Sequence, residues 1–268
     1  MRRIASRQNP IVTRYRQAAR GGSVLLLDGA HLVTEALAAS VRVTEAAVTE
    51  ETAGHVEIQR IVERLLKAEV DVVSVTAAVM AALSPVRTSS GIVALAELPD
   101  RASKVFGDRS VDPLVIVAVG VQDPGNLGAL VRVAEAAGAT GVMVTGASAN
   151  PYGWKALRGS MGSTLRLPIA SADHAALLSE IRRHHCRTVA AAPRGGTSLF
   201  DADLAGPLAI LIGGEGAGLP SDVFDQADIR VSIPMRTPVE SLNTAVSAAL
   251  LAYETRRQRA RIHRAVAL

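Results

Sequence analysis

The sequence has 268 residues and a net charge of +4, a length that suits one large domain or two smaller ones with a sizeable apolar core. Hydrophobic residues make up 49% and charged residues 20%, which is typical of a soluble globular protein. The single cysteine, Cys186, excludes an internal disulfide and fits a reducing compartment. The longest early apolar run, Val24–Leu27, is too short for a signal peptide or a membrane span, so we predict a cytoplasmic protein.

Positive charge is concentrated at the two ends of the chain. No acidic residue precedes Asp28, whereas that stretch contains six arginines: Arg2, Arg3, Arg7, Arg14, Arg16 and Arg20. The chain closes on a second group with no acidic residue between its members: Arg256, Arg257, Arg259, Arg261 and Arg264. Such ends favour a phosphate-rich partner, although either cluster taken alone fits a solvated helix face equally well.

The first hundred residues are predicted to form a compact α/β unit. Helices are predicted at 9–20, 29–39 and 56–66 and in a short segment ending at residue 83, and strands at 24–27, 41–48, 70–75 and 91–96. The polar segment that follows has the composition of a linker. We therefore predict an N-terminal domain over residues 1–98, a linker at 99–112 and a second domain over 113–268.

From Leu114 onward, apolar strands alternate with helices. Strands are predicted at 114–121, 142–145, 166–169, 188–192, 208–212 and 229–233, and helices at 126–137, 175–184 and from residue 242. Continuous apolar strands that alternate with helices are typical of a parallel sheet covered on both faces, so this domain is predicted to be α/β as well.

A glycine-rich turn follows the apolar strand at 208–212. In open α/β sheets ligands bind at such turns. Its glycines lack Cβ atoms, so the backbone can approach a ligand closely or adopt positive φ; they are Gly213, Gly214, Gly216 and Gly218. The dinucleotide fingerprint would need another glycine at Leu219, and no Gly-Lys-Ser/Thr of a P-loop follows.

Two further polar motifs also follow predicted strands. In the first, Pro124-Gly125 makes a turn, Asn126 is the expected N-cap of a helix, and Arg132 lies among apolar residues, where it either meets an anion or reaches solvent. In the other, a strand ends at Ile233-Pro234, and either Ser241 or Asn243 opens the last helix.

Glu215, among the glycines, has three possible roles. Its carboxylate could orient Asn126 or Arg132, face a cationic ligand, or be an ordinary exposed turn residue.

Taken together, the three motifs resemble the signature motifs of the SpoU (TrmH-type) branch of SPOUT RNA methyltransferases. The matching residues, in the family's order and spacing, are Asn126-x5-Arg132, Gly213-x-Glu215-x-x-Gly218 and Ile233-Pro-Met…Ser241-Leu-Asn243. The resemblance covers residues 114–254. Asn9-Pro10 and residues 25–37 also resemble the ribosomal-protein-like substrate-binding domain of two-domain members, with Asp28-Gly29 where the family usually has Glu-Gly.

The resemblance implies a trefoil-knotted C-terminal parallel-sheet domain that binds S-adenosylmethionine in a bent form, preceded by a smaller RNA-binding domain. It implies methyl transfer to a ribose 2′-hydroxyl of RNA without a metal, and a homodimer through the C-terminal domain whose active sites use residues of both subunits. The implied cofactor contacts are Gly213, Gly214, Gly218, Ile233, Met235 and Leu242. The implied catalytic and substrate-facing residues are Asn126, Arg132, Glu215, Ser241 and Asn243.

Arg132 matches the residue proposed as general base in the family. Free arginine stays protonated at accessible pH, so our hypothesis is that Arg132 at least clamps the target phosphate and fixes the ribose.

The segment at 150–162 places aromatic residues beside cations, in Tyr152, Trp154, Lys155 and Arg158. This pattern suits an unstacked RNA base and its backbone, although a structural role for the aromatic residues is slightly favoured. The resembled family has an Arg-x-Ser-x-Gly-like stretch here, which implies RNA contacts for Arg158 and Ser160. In the basic N-terminal helix, Arg14 and Arg16 are further RNA-binding candidates.

The sequence thus predicts an S-adenosylmethionine-dependent RNA 2′-O-methyltransferase with no membrane or metal partner, and large-subunit (23S) ribosomal RNA is the preferred substrate. Transfer RNA is the alternative substrate. A non-catalytic RNA-binding protein with the same fold is the alternative class, and a nucleotide-binding oxidoreductase is excluded by the glycine spacing.

Overall fold

A computed structural model describes residues 1–108 and 110–266, with side chains described as far as Ile262. Arg109, in the predicted linker, and the side chain of Arg264, in the C-terminal basic cluster, lie outside the described residues. The chain divides into two compact units, which we call unit 1 (residues 1–100 and 152–166) and unit 2 (residues 101–151 and 167 onward). Residues 152–166, which lie within the range predicted for the second domain, make most of their contacts with the first unit.

The elements are numbered along the chain. The strands are β1 Arg2–Ile4, β2 Val24–Asp28, β3 Val43–Thr49, β4 Asp71–Val75, β5 Ile92–Glu97, β6 Leu114–Val119, β7 Gly141–Thr145, β8 Ile169–Ala172, β9 Arg187–Ala192, β10 Thr197–Ser198, β11 Leu208–Gly213 and β12 Ile229–Ser232. The helices are α1 Pro10–Arg20, α2 Ala30–Ala38, α3 Val56–Lys67, α4 Ala77–Leu83, α5 Pro124–Ala137, α6 Trp154–Ser160, α7 Ser163–Arg166, α8 His174–Arg183, α9 Ser221–Asp225 and α10 Thr244–Val266.

Unit 1 is built on a mixed five-stranded sheet in the order β1-β4-β3-β5-β2, in which β5 runs antiparallel to both of its neighbours. Side chains alternate across this sheet. Leu25 and Leu27 join an apolar cluster with α2 and α3, whereas Leu26 joins a cluster on α1 and α4. Both faces of the sheet are therefore covered. The strand β1 was not predicted, because Arg2-Arg3 offers no apolar run.

Unit 2 is an all-parallel seven-stranded sheet in the order β10-β12-β9-β11-β6-β7-β8, which confirms the predicted parallel sheet. The two central strands, β6 and β11, are almost wholly buried. α10 packs on both of them, α5 packs on β6, and the two helices pack on each other. The β6 and β11 pairing places Val119 opposite Gly213 at their carboxyl ends. Loops that follow these strands must therefore emerge side by side. The trefoil threading of the chain stays a prediction.

One predicted strand of unit 2 lies elsewhere. The expected strand at 166–169 begins at Ile169 instead, while Arg166 ends the helix α7 of unit 1. Pro168 separates the two and has no N–H to donate to a strand ladder.

The predicted linker is tied down in its second half. Val105 and Phe106 are buried in the core of unit 2, and the Phe106 ring stacks on His184 with 3.9 Å between ring centroids. The segment 99–112 is polar on average, so its composition did not indicate that these two apolar residues are buried.

Three arginines of the C-terminal basic cluster bind groups within unit 2. Arg256 donates to the carbonyl of Ala136 in the last turn of α5, Arg257 pairs with Glu254, and Arg259 donates to the carbonyls of Asp112, Pro113 and Gly206. Burial lowers the pKa of Arg259. These side chains hold loops and helix ends together, which corrects the expectation that this whole cluster serves a phosphate partner.

No helix in the described part of the chain combines the length and apolar character needed to cross a membrane.

We expect Gly141→Ala to destabilise the protein by about 1–3 kcal/mol, because overpacking a buried contact costs this much. A Cβ atom at Gly141 would lie 2.7 Å from the Cα and carbonyl oxygen of Val105, which are backbone atoms that cannot swing away. The free energy of unfolding is measured by urea denaturation. Gly146→Ala, just beyond the same strand, is the control because its Cβ would meet nothing within 4 Å. Equal effects of the two changes would contradict this packing argument.

Candidate active site

The three sequence motifs meet at the carboxyl edge of the parallel sheet. The backbone N–H of Gly214, just past β11, donates to the carbonyl of Val119 at the end of β6 at 2.9 Å. The loop after β12 leads into α10, which packs against both central strands. Side chains that follow β6, β11 and β12 are thereby gathered at one place, as expected for a ligand site in an open α/β sheet.

The glycines after β11 are required by the chain itself. A Cβ on Gly213 would lie 2.2 Å from the backbone carbon of Gly218, and one on Gly214 would lie 1.9 Å from the carbonyl oxygen of Gly120. Gly216 and Gly218 have φ of +82° and +67°, which L side chains rarely adopt. These glycines were expected to let the backbone approach a ligand closely. In the structure they let it approach the protein's own backbone.

The helix α5 begins two residues earlier than predicted. Its N-cap is Asp123, whose Oδ1 accepts the N–H of Asn126 at 2.7 Å, and Pro124 occupies the first helical position. The prediction that Asn126 is the N-cap is therefore wrong. Because Asp123 takes the capping role, the side chain of Asn126 is available for other contacts.

One residue from each motif joins a short hydrogen-bond network. Asn243 Nδ2 donates to Asn126 Oδ1 at 2.9 Å, and Asn126 Nδ2 donates to Glu215 Oε1 at 2.7 Å. Asn243 Oδ1 accepts the backbone N–H of Ala245 at 2.9 Å and so caps α10. That cap leaves only the Nδ2 end of Asn243 for Asn126, which in turn directs its own Nδ2 to the carboxylate. Among the roles considered for Glu215, the structure shows the contact with Asn126.

Beside this network lies a cleft of about 670 Å³, within the size range of small-molecule sites. It is lined by all six predicted cofactor contacts: Gly213, Gly214, Gly218, Ile233, Met235 and Leu242. Its polar side chains come from Glu215, Ser221, Ser241, Asn243, Thr244 and Ser247. The remaining lining is mostly apolar or glycine, and the polar groups can orient a ligand.

Sequence reasoning missed two parts of this cleft. Ala191, Ala192 and Pro193 line it from the end of β9, which the parallel sheet brings to the same edge as β11 and β12. These residues could have been predicted, because the carboxyl ends of parallel strands meet at one edge of the sheet. Phe224, which lies under the Arg230 guanidinium at 4.7 Å, is on the five-residue helix α9, too short to stand out as a periodic pattern.

Arg132 is not brought to this cleft. It lies six residues after Asn126, about 1.7 helical turns, so the two side chains leave α5 in different directions. Its side chain is exposed, it is not among the residues lining the cleft, and it forms no ion pair with a carboxylate in the described chain. Arg132 was expected either to meet an anion or to reach solvent. In the single chain its side chain reaches solvent.

The predicted RNA-binding residues, all in unit 1, differ in their surroundings. Arg16 and Arg158 are exposed, whereas Arg14 pairs with Glu45. Ser160 is fully buried, and its hydroxyl donates to the carbonyl of Leu157 at 2.9 Å. The implied RNA contact of Ser160 is thereby corrected, because this hydroxyl stabilises the end of α6 and cannot reach a ligand.

No group of three or more His, Cys, Asp or Glu side chains that could hold a metal is present among the residues that the structure describes. Cys186 is buried, and burial raises the pKa of its thiol to about 11, so it is not placed to act as a thiolate nucleophile.

Comparisons with known proteins agree with this geometry. Residues 113–253 match the SpoU rRNA Methylase family, and residues 14–94 match the MRM3-like substrate binding domain. The chain is 30% identical to the 23S rRNA (guanosine(2553)-2′-O)-methyltransferase RlmP of Bacillus subtilis, over 87% of this chain and 89% of the relative.

Two solved structures are similar along nearly the whole chain. The crystal structure of an RNA 2′-O ribose methyltransferase shares 35% identity over 96% of this chain and 98% of the other, with a TM-score of 0.81. The SpoU methyltransferase AviRb from Streptomyces viridochromogenes, solved in complex with the cofactor AdoMet, shares 27% identity over 95% and 99%, with a TM-score of 0.84. The resemblance carried by the three motifs is confirmed, and the chain belongs to the SpoU rRNA methylase family.

Proposed function

We propose that this protein transfers the methyl group of S-adenosylmethionine to a ribose 2′-hydroxyl of large-subunit ribosomal RNA. The observation that carries this proposal is the Asn243–Asn126–Glu215 network at the cleft of the glycine loop. A relative with 30% identity over most of the chain is a 23S rRNA 2′-O-methyltransferase, and a structural relative was solved with AdoMet bound.

The residues of the cleft fit this cofactor. Ile233, Met235 and Leu242 offer an apolar surface for the adenosine part, and the glycine loop offers backbone groups that no side chain screens. The carboxylate of Glu215 suits a cationic ligand. When bound, S-adenosylmethionine supplies an electrophilic methyl group on a sulfonium sulfur.

The protein's own task is then to hold a weak nucleophile in place. Asn126 is fixed at both ends of its amide, by the Asn243 donor and by the Glu215 acceptor, so it does not have to reorganise when a ribose binds. Alignment of this kind can supply about 7–11 kcal/mol of the barrier. The network therefore positions the hydroxyl, and its carboxylate end provides an acceptor for hydrogen-bond donors of the substrate.

A second copy of the chain would complete the site. Val246, Leu250 and Tyr253 on α10 are 47%, 40% and 48% exposed, and their spacing of four and three residues puts them on one helix face. An exposed apolar stripe of this kind favours burial in an isologous dimer. α10 packs against α5, which carries the exposed Arg132, so a dimer along this face would bring Arg132 toward the cleft of the other copy.

The RNA would be held in part by unit 1, which carries the exposed Arg16 and Arg158 and whose residues 14–94 match a substrate-binding domain. The single cysteine fits the reducing environment of the cytoplasm, where we place the reaction.

Asn126→Ala is expected to lower methyl transfer by about 10²–10³-fold, because it removes an oriented amide at the reacting centre. Affinity for S-adenosylmethionine should be retained, since Asn126 does not line the cleft. Transfer of radiolabel is measured to separate pools of unmodified ribosomal and transfer RNA, and calorimetry gives cofactor affinity. Gln59→Ala, an exposed amide on α3, is the matched control.

Alkali-resistant label in ribosomal RNA, lost in Asn126→Ala and kept in Gln59→Ala, is the expected result. Label in transfer RNA alone would identify transfer RNA as the substrate in place of ribosomal RNA. Absence of label in both pools, with the cofactor bound, would refute the proposed reaction.

Leu250→Glu is expected to convert the dimer to a monomer, because a charge would be buried in the apolar stripe of α10. The molar mass in solution, from light scattering or sedimentation, checks this. Leu66→Glu makes the same exchange at a leucine on α3 that is 50% exposed, and should leave the mass unchanged. A wild-type protein that is already monomeric at working concentration would disprove this interface.

Mixed dimers of Arg132→Ala and Asn126→Ala chains should regain activity that neither homodimer has. If Arg132 serves the neighbouring cleft, a mixed dimer contains one complete site and should show about half of the wild-type rate. The two variants are co-expressed with different affinity tags, and mixed dimers are isolated by successive capture. Inactive mixed dimers would mean that Arg132 acts within its own chain. An active Arg132→Ala homodimer would mean that Arg132 takes no part in the reaction.

A further inference from the structure

Unit 1 contains a cavity of about 450 Å³ that shares no residue with the cleft of unit 2. Its polar and aromatic lining comes from Asp28, His31, Trp154, Lys155 and Arg158. We propose that this cavity binds one unstacked nucleotide of the RNA substrate, with the base on Trp154 and the phosphate between Lys155 and Arg158. The inference rests on the proposed function in taking RNA as the substrate.

Trp154 offers a rigid aromatic face at the cavity. It is half-buried and packs against the apolar cluster of α1 and α4, so its ring is held in position. The Lys155 ammonium lies 5.6 Å from the ring centroid. A cation over an exposed ring is held weakly, and stacking of a base on an aromatic ring is stronger. A base can therefore displace Lys155, whose flexible stem lets its charge move to the attached phosphate.

Lys155 and Arg158 place two cationic groups at the cavity. They are three residues apart on α6, which places them as neighbours on the helix surface. Both are exposed, and neither forms a salt bridge with a carboxylate in the described parts of the chain. A guanidinium that no salt bridge holds, beside an ammonium on the same helix face, suits the charge of a phosphodiester.

Asp28 gives this cavity a group that can distinguish bases. Its side chain is only 9% exposed and lines the cavity, and Ser84 donates to its Oδ2 at 2.5 Å. Described residues supply no hydrogen-bond donor to its Oδ1. Burial raises the pKa of this carboxyl, which means that the folded protein retains it at a cost that the Ser84 bond and the nearby Arg158 only partly offset.

An unoccupied acceptor at this position favours bases that present an amine. Adenine, guanine and cytosine each carry an exocyclic amine donor. Uracil offers only its ring N3–H, which lies between two carbonyl oxygens that a carboxylate repels. The carboxyl would then accept a hydrogen bond from the amine of the base stacked on Trp154. We expect the cavity to prefer amine-bearing bases over uracil.

Trp154 is the only tryptophan of the chain, so its fluorescence reports on this cavity alone. The full-length protein is titrated, without S-adenosylmethionine, with single-stranded hexanucleotides of A, C or U. We expect saturable quenching by the A and C oligomers and weaker binding of the U oligomer. Arg158→Ala should raise the Kd about tenfold or more, because a charge-assisted phosphate contact is lost. Arg64→Ala, an exposed arginine on α3, should leave the Kd unchanged.

Asp28→Asn tests base selection separately from binding. An amide can both donate and accept, so this variant should still be quenched but should no longer disfavour the U oligomer. Retained preference against uracil would overturn the role of Asp28. A mononucleotide that binds as tightly as a hexamer would overturn the assignment to RNA in favour of a free nucleotide.

Failure of this inference can be told apart from failure of the proposed function. Methylation of ribosomal RNA by a protein whose Trp154 shows no saturable quenching, or by an Arg158→Ala variant with unchanged Kd, would overturn the cavity assignment alone. Quenching with the expected base preference, in a protein that transfers no methyl group, would leave the cavity assignment standing and refute the reaction.

Discussion

The candidate site depends on a close contact between two backbones. Gly214 leaves β11 beside Gly120, which leaves β6, and a methyl group on Gly214 would lie 1.9 Å from the Gly120 carbonyl oxygen. Its N–H instead bonds to Val119, one residue back along β6. Only because this position lacks a side chain can the loops after β6 and β11 lie in contact. That contact puts Glu215 within hydrogen-bonding distance of Asn126, although 89 residues separate them.

The direction of the hydrogen bonds in the site follows from how α10 begins. Asn243 caps that helix with its Oδ1, and helix N-termini require such an acceptor. Its Nδ2 is then committed to Asn126, and the amide of Asn126 can turn only its own Nδ2 to Glu215. A feature that stabilises secondary structure thus sets which atom of each side chain faces the next. The Glu215 carboxylate, which can only accept hydrogen bonds, is the last member of this network.

Much of this arrangement could be predicted from the sequence, because apolar strands in a parallel sheet bring their carboxyl ends to one edge and each motif follows such a strand. Other features could not. Asp123 and Asn126 are both capable N-caps three residues apart, and only the helix start at Pro124 decides between them. Ser160 has the local sequence of a surface residue, and its burial results from packing of α6 in unit 1.

The basic residues show most clearly why composition was an incomplete guide. Arg259 looks like its neighbours in the sequence, but its partners are carbonyls up to 147 residues away, which no local pattern reveals. An arginine that already holds such groups would have to give them up to bind a phosphate, which offsets part of the gain from counterion release. We therefore propose that affinity for RNA depends on exposed arginines that form no salt bridge, such as Arg16 and Arg158, and not on the net charge. Salt dependence of RNA binding should accordingly report the number of these free arginines.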